Sequence, residues 1–187
     1  MVRSGGLSST ASEGFRENSA YGRQNAFLHM RTFLDRHTLS LTLSLVKLHS
    51  EIPSSLNEED YLNAPWKAGG RWGEIGGYET YTRALGGLGL ESVLSERWKN
   101  KLVLFSSCSD PYETRLFNIL DDRSSGAGFR ENLSYEGSRL KFSTGMEVYR
   151  EGVDWKILES VNGSPGALLS QDRTTPARLP RHGRSAL

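Results

Sequence analysis

The chain has 187 residues, 36% of them hydrophobic, and a net charge of +1. That length suits one domain with a core of its own, and the even charge balance excludes a protein whose whole surface wraps nucleic acid. A single cysteine excludes an internal disulfide framework and a paired-cysteine zinc site, and no apolar run reaches the roughly 20 residues of a membrane-crossing helix.

Residues 1–24 read as an extended arm, either flexible or ordered by a partner. Met1–Ser12 has one Arg, no acid and many Ser and Gly, and is similar to the start of an organelle transit peptide. Glu13 and Glu17 then break that pattern, and no secretory apolar region is present. Asn25 caps a predicted helix over 25–37, in which Phe27, Met30, Phe33 and Leu34 share a face. Two readings stay open for 38–48. Strict alternation from Thr38 to Leu45 describes a strand. Leu34, Leu41, Leu45 and Leu48 also line one side of a continued helix, which is the preferred reading.

Ser55-Leu56-Asn57-Glu58 has the capping-box pattern and predicts a short helix through Tyr61-Leu62, ended before Pro65. Pro65 to Gly89 then interleaves Trp66, Trp72, Tyr78 and Tyr81 with glycines. Glycine permits close backbone approach and aromatics supply contact area. These four aromatics are therefore candidates for docking a partner, set against a plain surface loop whose rings cover the core. Gly86-Gly87-Leu88-Gly89 lacks the third glycine of a dinucleotide fingerprint and any G-K-[ST]. A tight turn before a helix over Leu90–Trp98 is the preferred reading there, with a nucleotide-binding loop as the alternative.

Lys101-Leu102-Val103-Leu104-Phe105 is a short apolar run suited to a strand covered on both faces. Pro111 fits the first turn of a helix with Asp110 as cap. Tyr112, Leu116, Ile119 and Leu120 would share that helix's face. The unit 101–122 thus reads as strand, loop and helix. It contains Cys108, placed where a helix dipole would stabilise a thiolate. Cys108-x-x-Pro111 resembles the start of a thioredoxin-like domain, which implies a reactive thiol at Cys108. No second cysteine exists as resolving partner, and the plain reading is a small residue without a role.

Three short strands follow, Arg139–Phe142, Met146–Arg150 and Trp155–Val161, expected to form an antiparallel meander. The segment 166–187 reads as a basic irregular tail. Its Arg173, Arg178, Arg181 and Arg184 are candidates for contact with RNA or an acidic partner. The pentapeptide Gly14-Phe15-Arg16-Glu17-Asn18 recurs as Gly128-Phe129-Arg130-Glu131-Asn132, which makes Phe15 and Phe129 candidate docking residues. The four histidines are scattered without a ligand pattern, so neither metal nor cofactor is expected, and no catalytic constellation appears.

The expected fold is therefore α+β. An N-terminal helical segment precedes a small mixed sheet with the 101–122 unit and a C-terminal meander. The domain spans 25–165 between irregular tails. The expected function is non-catalytic: a structural or accessory subunit of a large assembly, most concretely an organellar (mitochondrial) ribosome-like ribonucleoprotein particle, held by other protein subunits, with RNA on its tail. A thiol protein using Cys108, a viral structural protein and an accessory subunit of a membrane complex are the alternatives.

Overall fold

A computed structural model describes residues 1–174. It is antiparallel β throughout, apart from two short helices. In chain order the elements are β1 (Val2–Ser12), β2 (Tyr21–Leu34), β3 (His37–Glu51), α1 (Glu58–Asn63), α2 (Trp72–Ile75), β4 (Tyr78–Val93), β5 (Trp98–Ser109), β6 (Tyr112–Thr114), β7 (Asn118–Glu136), β8 (Lys141–Val161) and β9 (Ser164–Thr174). They form one sheet in the order β1-β2-β3-β4-β5-β7-β8-β9, with β6 between β4 and β7. β6 continues the line of β5 past Pro111, which has no N–H to give a ladder. Asp110 bridges the break: its backbone N–H donates to Thr82 O and its Oδ1 accepts from the Thr82 N–H at 2.6 Å.

The two ends of the sheet differ. At one end the connections are tight, with 35–36, 94–97 and 137–140 joining strand pairs. At the other end lie 13–20, the long connection 52–77 that carries both helices, and the break around β6. The exception there is the two-residue turn Asn162-Gly163, where both residues have positive φ as a tight hairpin requires.

The α+β expectation is overturned. The predicted helix 25–37 is β2, the ambiguous stretch 38–48 is strand β3, and 90–98 is the end of β4, a turn and the start of β5. The predicted helix after Pro111 is β6, a turn and the first residues of β7. In each case apolar residues stand on both faces of a strand, and their mixed spacing imitates a helical stripe. Phe27 and Phe33 face one way on β2, while Leu28 and Met30 face the other. The three-strand meander is also corrected, because its pieces belong to one long strand, β8, paired along β7 from Lys141 to Glu159. The strand expected at 101–105 lies within β5, and the short helix expected after the capping pattern is present, with its cap at Asn57 rather than Ser55. The Asn57 side chain accepts from Asp60 N–H at 2.7 Å.

There is almost no interior. Among the described residues the buried hydrophobic side chains are Ala64 and Ile119. The sheet is a single layer, so neither face is covered by the described chain. An apolar layer of this kind needs a second layer to bury its surface.

Candidate membrane-facing surface and loop rim

The strand pairing sorts the side chains into two faces. Along β3, Leu39, Leu41, Leu43 and Leu45 point one way, and Thr38, Ser40, Thr42 and Ser44 the other. Register carries the leucine row across the sheet to Leu28 and Met30 on β2, Ala84, Leu88 and Leu90 on β4, and Leu102 and Leu104 on β5. It continues through Phe129 and Leu133 on β7 to Met146 and Val148 on β8. This apolar face is the open one: Leu43 is 43% exposed, Leu104 50% and Leu88 57%. The serines and threonines of β3 are half-buried instead. Along β3 the usual order of a protein in water, polar out and apolar in, is reversed, while Phe27, Phe33 and Leu85 are exposed on the other face. Arg3 on the edge strand and Glu131 interrupt the apolar face, and Glu131 accepts a hydrogen bond from Asn100 Nδ2.

The polar face carries ion pairs from strand to strand. Glu91 meets Arg31 at 3.2 Å and Lys101 at 2.9 Å, and Arg130 meets Glu147. His29 Nδ1 lies 2.9 Å from Thr42 Oγ1. Phe105 and Tyr149 stack on this face with ring centres 5.8 Å apart. They fit because β7 has glycine beneath them: a Cβ on Gly126 would fall 2.3 Å from Tyr149 Oη, and one on Gly128 2.9 Å from the Phe105 ring. Crowding on the polar side and openness on the apolar side are what a sheet curling toward its polar face produces.

Aromatic clusters bound the apolar face at both ends. Trp98, Tyr135 and Phe142 group beside the tight turns, with ring centres 5.0–5.9 Å apart. At the long-loop end Tyr78 lies 5.3 Å from His49 and 6.0 Å from Tyr112. On β3 the residues 38–46 lie between His37 and Lys47. At about 3.3 Å per residue and a tilt of about 40°, that stretch covers about 23 Å, close to the roughly 25 Å of a barrel's lipid-facing band. Beyond the band at the turn end, Lys141 and then Lys99 hold the Glu136 carboxyl below the usual carboxylate range, chiefly through the Lys141 hydrogen bond. At the other end, the hydrogen bond that Arg115 donates to the Glu113 carboxylate raises the guanidinium further above its ordinary value.

The docking candidates separate on this frame. Tyr78 belongs to the aromatic cluster and Tyr81 to the polar face, where Arg83 lies over its ring at 5.8 Å. Trp66, Trp72 and Phe15 are in the long-loop rim. That rim is tied together by the first pentapeptide copy. The Arg16 guanidinium donates to the carbonyls of Ser54, Pro53 and Lys67, and Asn18 Nδ2 donates to those of Ile52 and Gly77 at 2.8 and 2.7 Å. Phe15 projects outward, 76% exposed. The second copy is different in kind, a piece of β7 with Phe129 between Leu104 and Val148 on the apolar face. Cys108 lies on β5, exposed on the apolar face, with no helix N-terminus beside it. Arg173 ends β9 and meets Asp154 at 3.7 Å, while Arg178, Arg181 and Arg184 lie outside the described residues. The two-faced pattern and the aromatic ends were missed from sequence. The alternation Thr38–Leu45 was the signal for them.

No protein-family model matches the chain, and no protein of curated description matches it. Among solved structures the chain is similar to the ferric citrate transporter FecA in its unliganded form, with a TM-score of 0.75 at 16% identity. The match covers 92% of this chain and 27% of that one, so the chain spans about a quarter of the transporter's length. At that identity the likeness concerns the fold. No helix among the described residues is long and apolar enough to cross a membrane, a statement that leaves strands aside.

Proposed function

We propose that this chain forms part of the wall of a transmembrane β-barrel that passes a solute, of the kind to which the ferric citrate transporter belongs. The observation that carries the reading is the reversed covering of the sheet. Leucine, methionine and valine are open on one face, hydroxyls and ion pairs fill the other, and aromatic clusters close both ends of the apolar band. Outer-membrane-type barrels have this alternation, with short turns on one side and long loops on the other. Hydrocarbon tolerates no unpaired backbone. β1 and β9 each lack an outer partner among the described residues, so the wall continues through further strands. Those strands are the protein partner this reading requires. The accessory-subunit reading for a ribonucleoprotein would depend on the basic tail, and Arg173, its described member, is paired within the sheet.

The test uses tryptophan emission from the full chain in vesicles whose lipids carry bromine near the headgroup. Trp98 sits in the cluster at the edge of the apolar band. Strong quenching that is mostly lost in Trp98→Phe supports the reading, and equal emission in brominated and plain vesicles overturns it.

A further inference from the structure

The apolar face is not uniform. Across its middle strands, on the long-loop side of the row Leu88–Leu104–Phe129–Val148, the side chains become small: Ala84, Gly86, Ser106, Cys108, Ser125 and Ala127. They floor an open trough of about 1080 Å³ running across the strands from Leu7 to Arg150. Bulky apolar residues form the wall nearer the tight turns. The opposite side is cationic. Arg150 lines the trough itself, and the next positions outward on the same face are Lys47 on β3 and Arg123 on β7, all exposed. Lys47 and Arg123 enter no ion pair among the described residues. On the same face Asp154, opposite Arg123 in register, meets Arg173 at 3.7 Å, Asp110 accepts from Thr82 N–H, and Asp121 stands two positions beyond Arg123 on β7.

We propose that this trough seats one phosphate-bearing amphiphile of the surrounding leaflet, its acyl chain along the small-residue floor and its phosphate against Arg123 and Arg150. The inference rests on the barrel reading, which turns this face toward lipid. An arginine fork matches phosphate oxygens two at a time. The trough lies at the long-loop edge of the apolar band, where the headgroup and first methylenes of a lipid meet a barrel. A smaller hollow of about 390 Å³ lies on the same face among Leu39, Leu41, Leu88 and Leu102, and no cation lines it.

The full chain is folded into vesicles of equal phosphatidylglycerol and phosphatidylcholine, extracted in mild detergent, and its retained lipid identified by native mass spectrometry. Retention of phosphatidylglycerol at about tenfold over phosphatidylcholine is expected. Arg123→Gln with Arg150→Gln should remove that preference. Ala127→Trp, which fills the floor, should lower retention of both lipids, and heat-dependent gel mobility confirms that each variant is folded. Equal retention of the two lipids by the unaltered chain, which needs no variant, overturns the proposal. So does a preference that survives loss of both arginines. Chain-to-chain cross-links through Cys108 in place of retained lipid would also overturn it and give the trough to a second copy. Trp98 quenching in the same vesicles separates the two ideas. Its absence defeats the barrel reading, whereas quenching without phosphatidylglycerol preference defeats this inference alone.

Discussion

A leucine with nearly half its surface open is a liability in water and an asset in hydrocarbon, and β3 tests which medium applies. Leu43 and Thr42 are neighbours in the chain on opposite faces. In a bilayer, Leu43→Arg places a charge in the apolar band and should lower unfolding stability by about 2–4 kcal/mol, read by urea titration in vesicles. Thr42→Arg, on the side with the ion pairs, should cost under about 1 kcal/mol by the same titration. If the leucines faced water, the order would vanish. Glu131 makes a converse case. Its removal as Glu131→Leu should raise stability in vesicles, because a carboxylate on the lipid side is unfavourable even with Asn100 donating to it. A lower urea midpoint for that variant would show that the Asn100 contact outweighs the cost.

At the scale of elements, the rim depends on a few donors. Asn18→Ala leaves the carbonyls of Ile52 and Gly77 without that amide. Each lost bond is worth about 1 kcal/mol, so the connection 52–77 should become cleavable by protease at concentrations that spare the parent chain. The tight turn 137–140 is held differently. Because the carboxyl of Glu136 titrates below its unfolded value, its contribution is complete above that unfolded value. It fades as pH falls through the folded one. Protection factors of the amides at 137–140 should fall only on acidification, and Glu136→Gln should remove that dependence. These elements also show what the sequence could disclose. The short helix after Ser55–Glu58 and the apolar run at 101–105 were legible because the signal is local, although the cap is Asn57 and not Ser55. β2 was not, since apolar residues also stand on its ion-paired face, where Phe27 and Phe33 blur the period of two. The repeated pentapeptide was legible as a repeat and uninformative as structure. Gly14 at φ +76° and Asn18 at +54° make a clasp of the first copy, whereas pairing with β5 and β8 draws the second into a ladder.

For the molecule as a whole, strands from Val2 to Thr174 make one layer whose surfaces want different media. Composition concealed this. A hydrophobic content of 36% suggests an ordinary domain, because half of every strand is polar and the average over two faces looks moderate. The sheet should accordingly be detergent-dependent. Circular dichroism should report β structure in micelles, and dilution into plain buffer should bring association through the unpaired rims of β1 and β9. A stable monomer in plain buffer would contradict the single-layer picture.

The asymmetry between the ends of the sheet makes the two ends unequal to move through a leaflet. Carrying 52–77 through a leaflet would drag two helices, Arg71, Lys67 and several acids through a medium that offers their backbone no water. Leading with Asp35-Arg36 and the similarly brief bends takes far less polar freight across. On the barrel reading, an outer-membrane arrangement with brief periplasmic turns and long outer loops would carry those bulky connections across, so their passage is the costly step in orienting the wall.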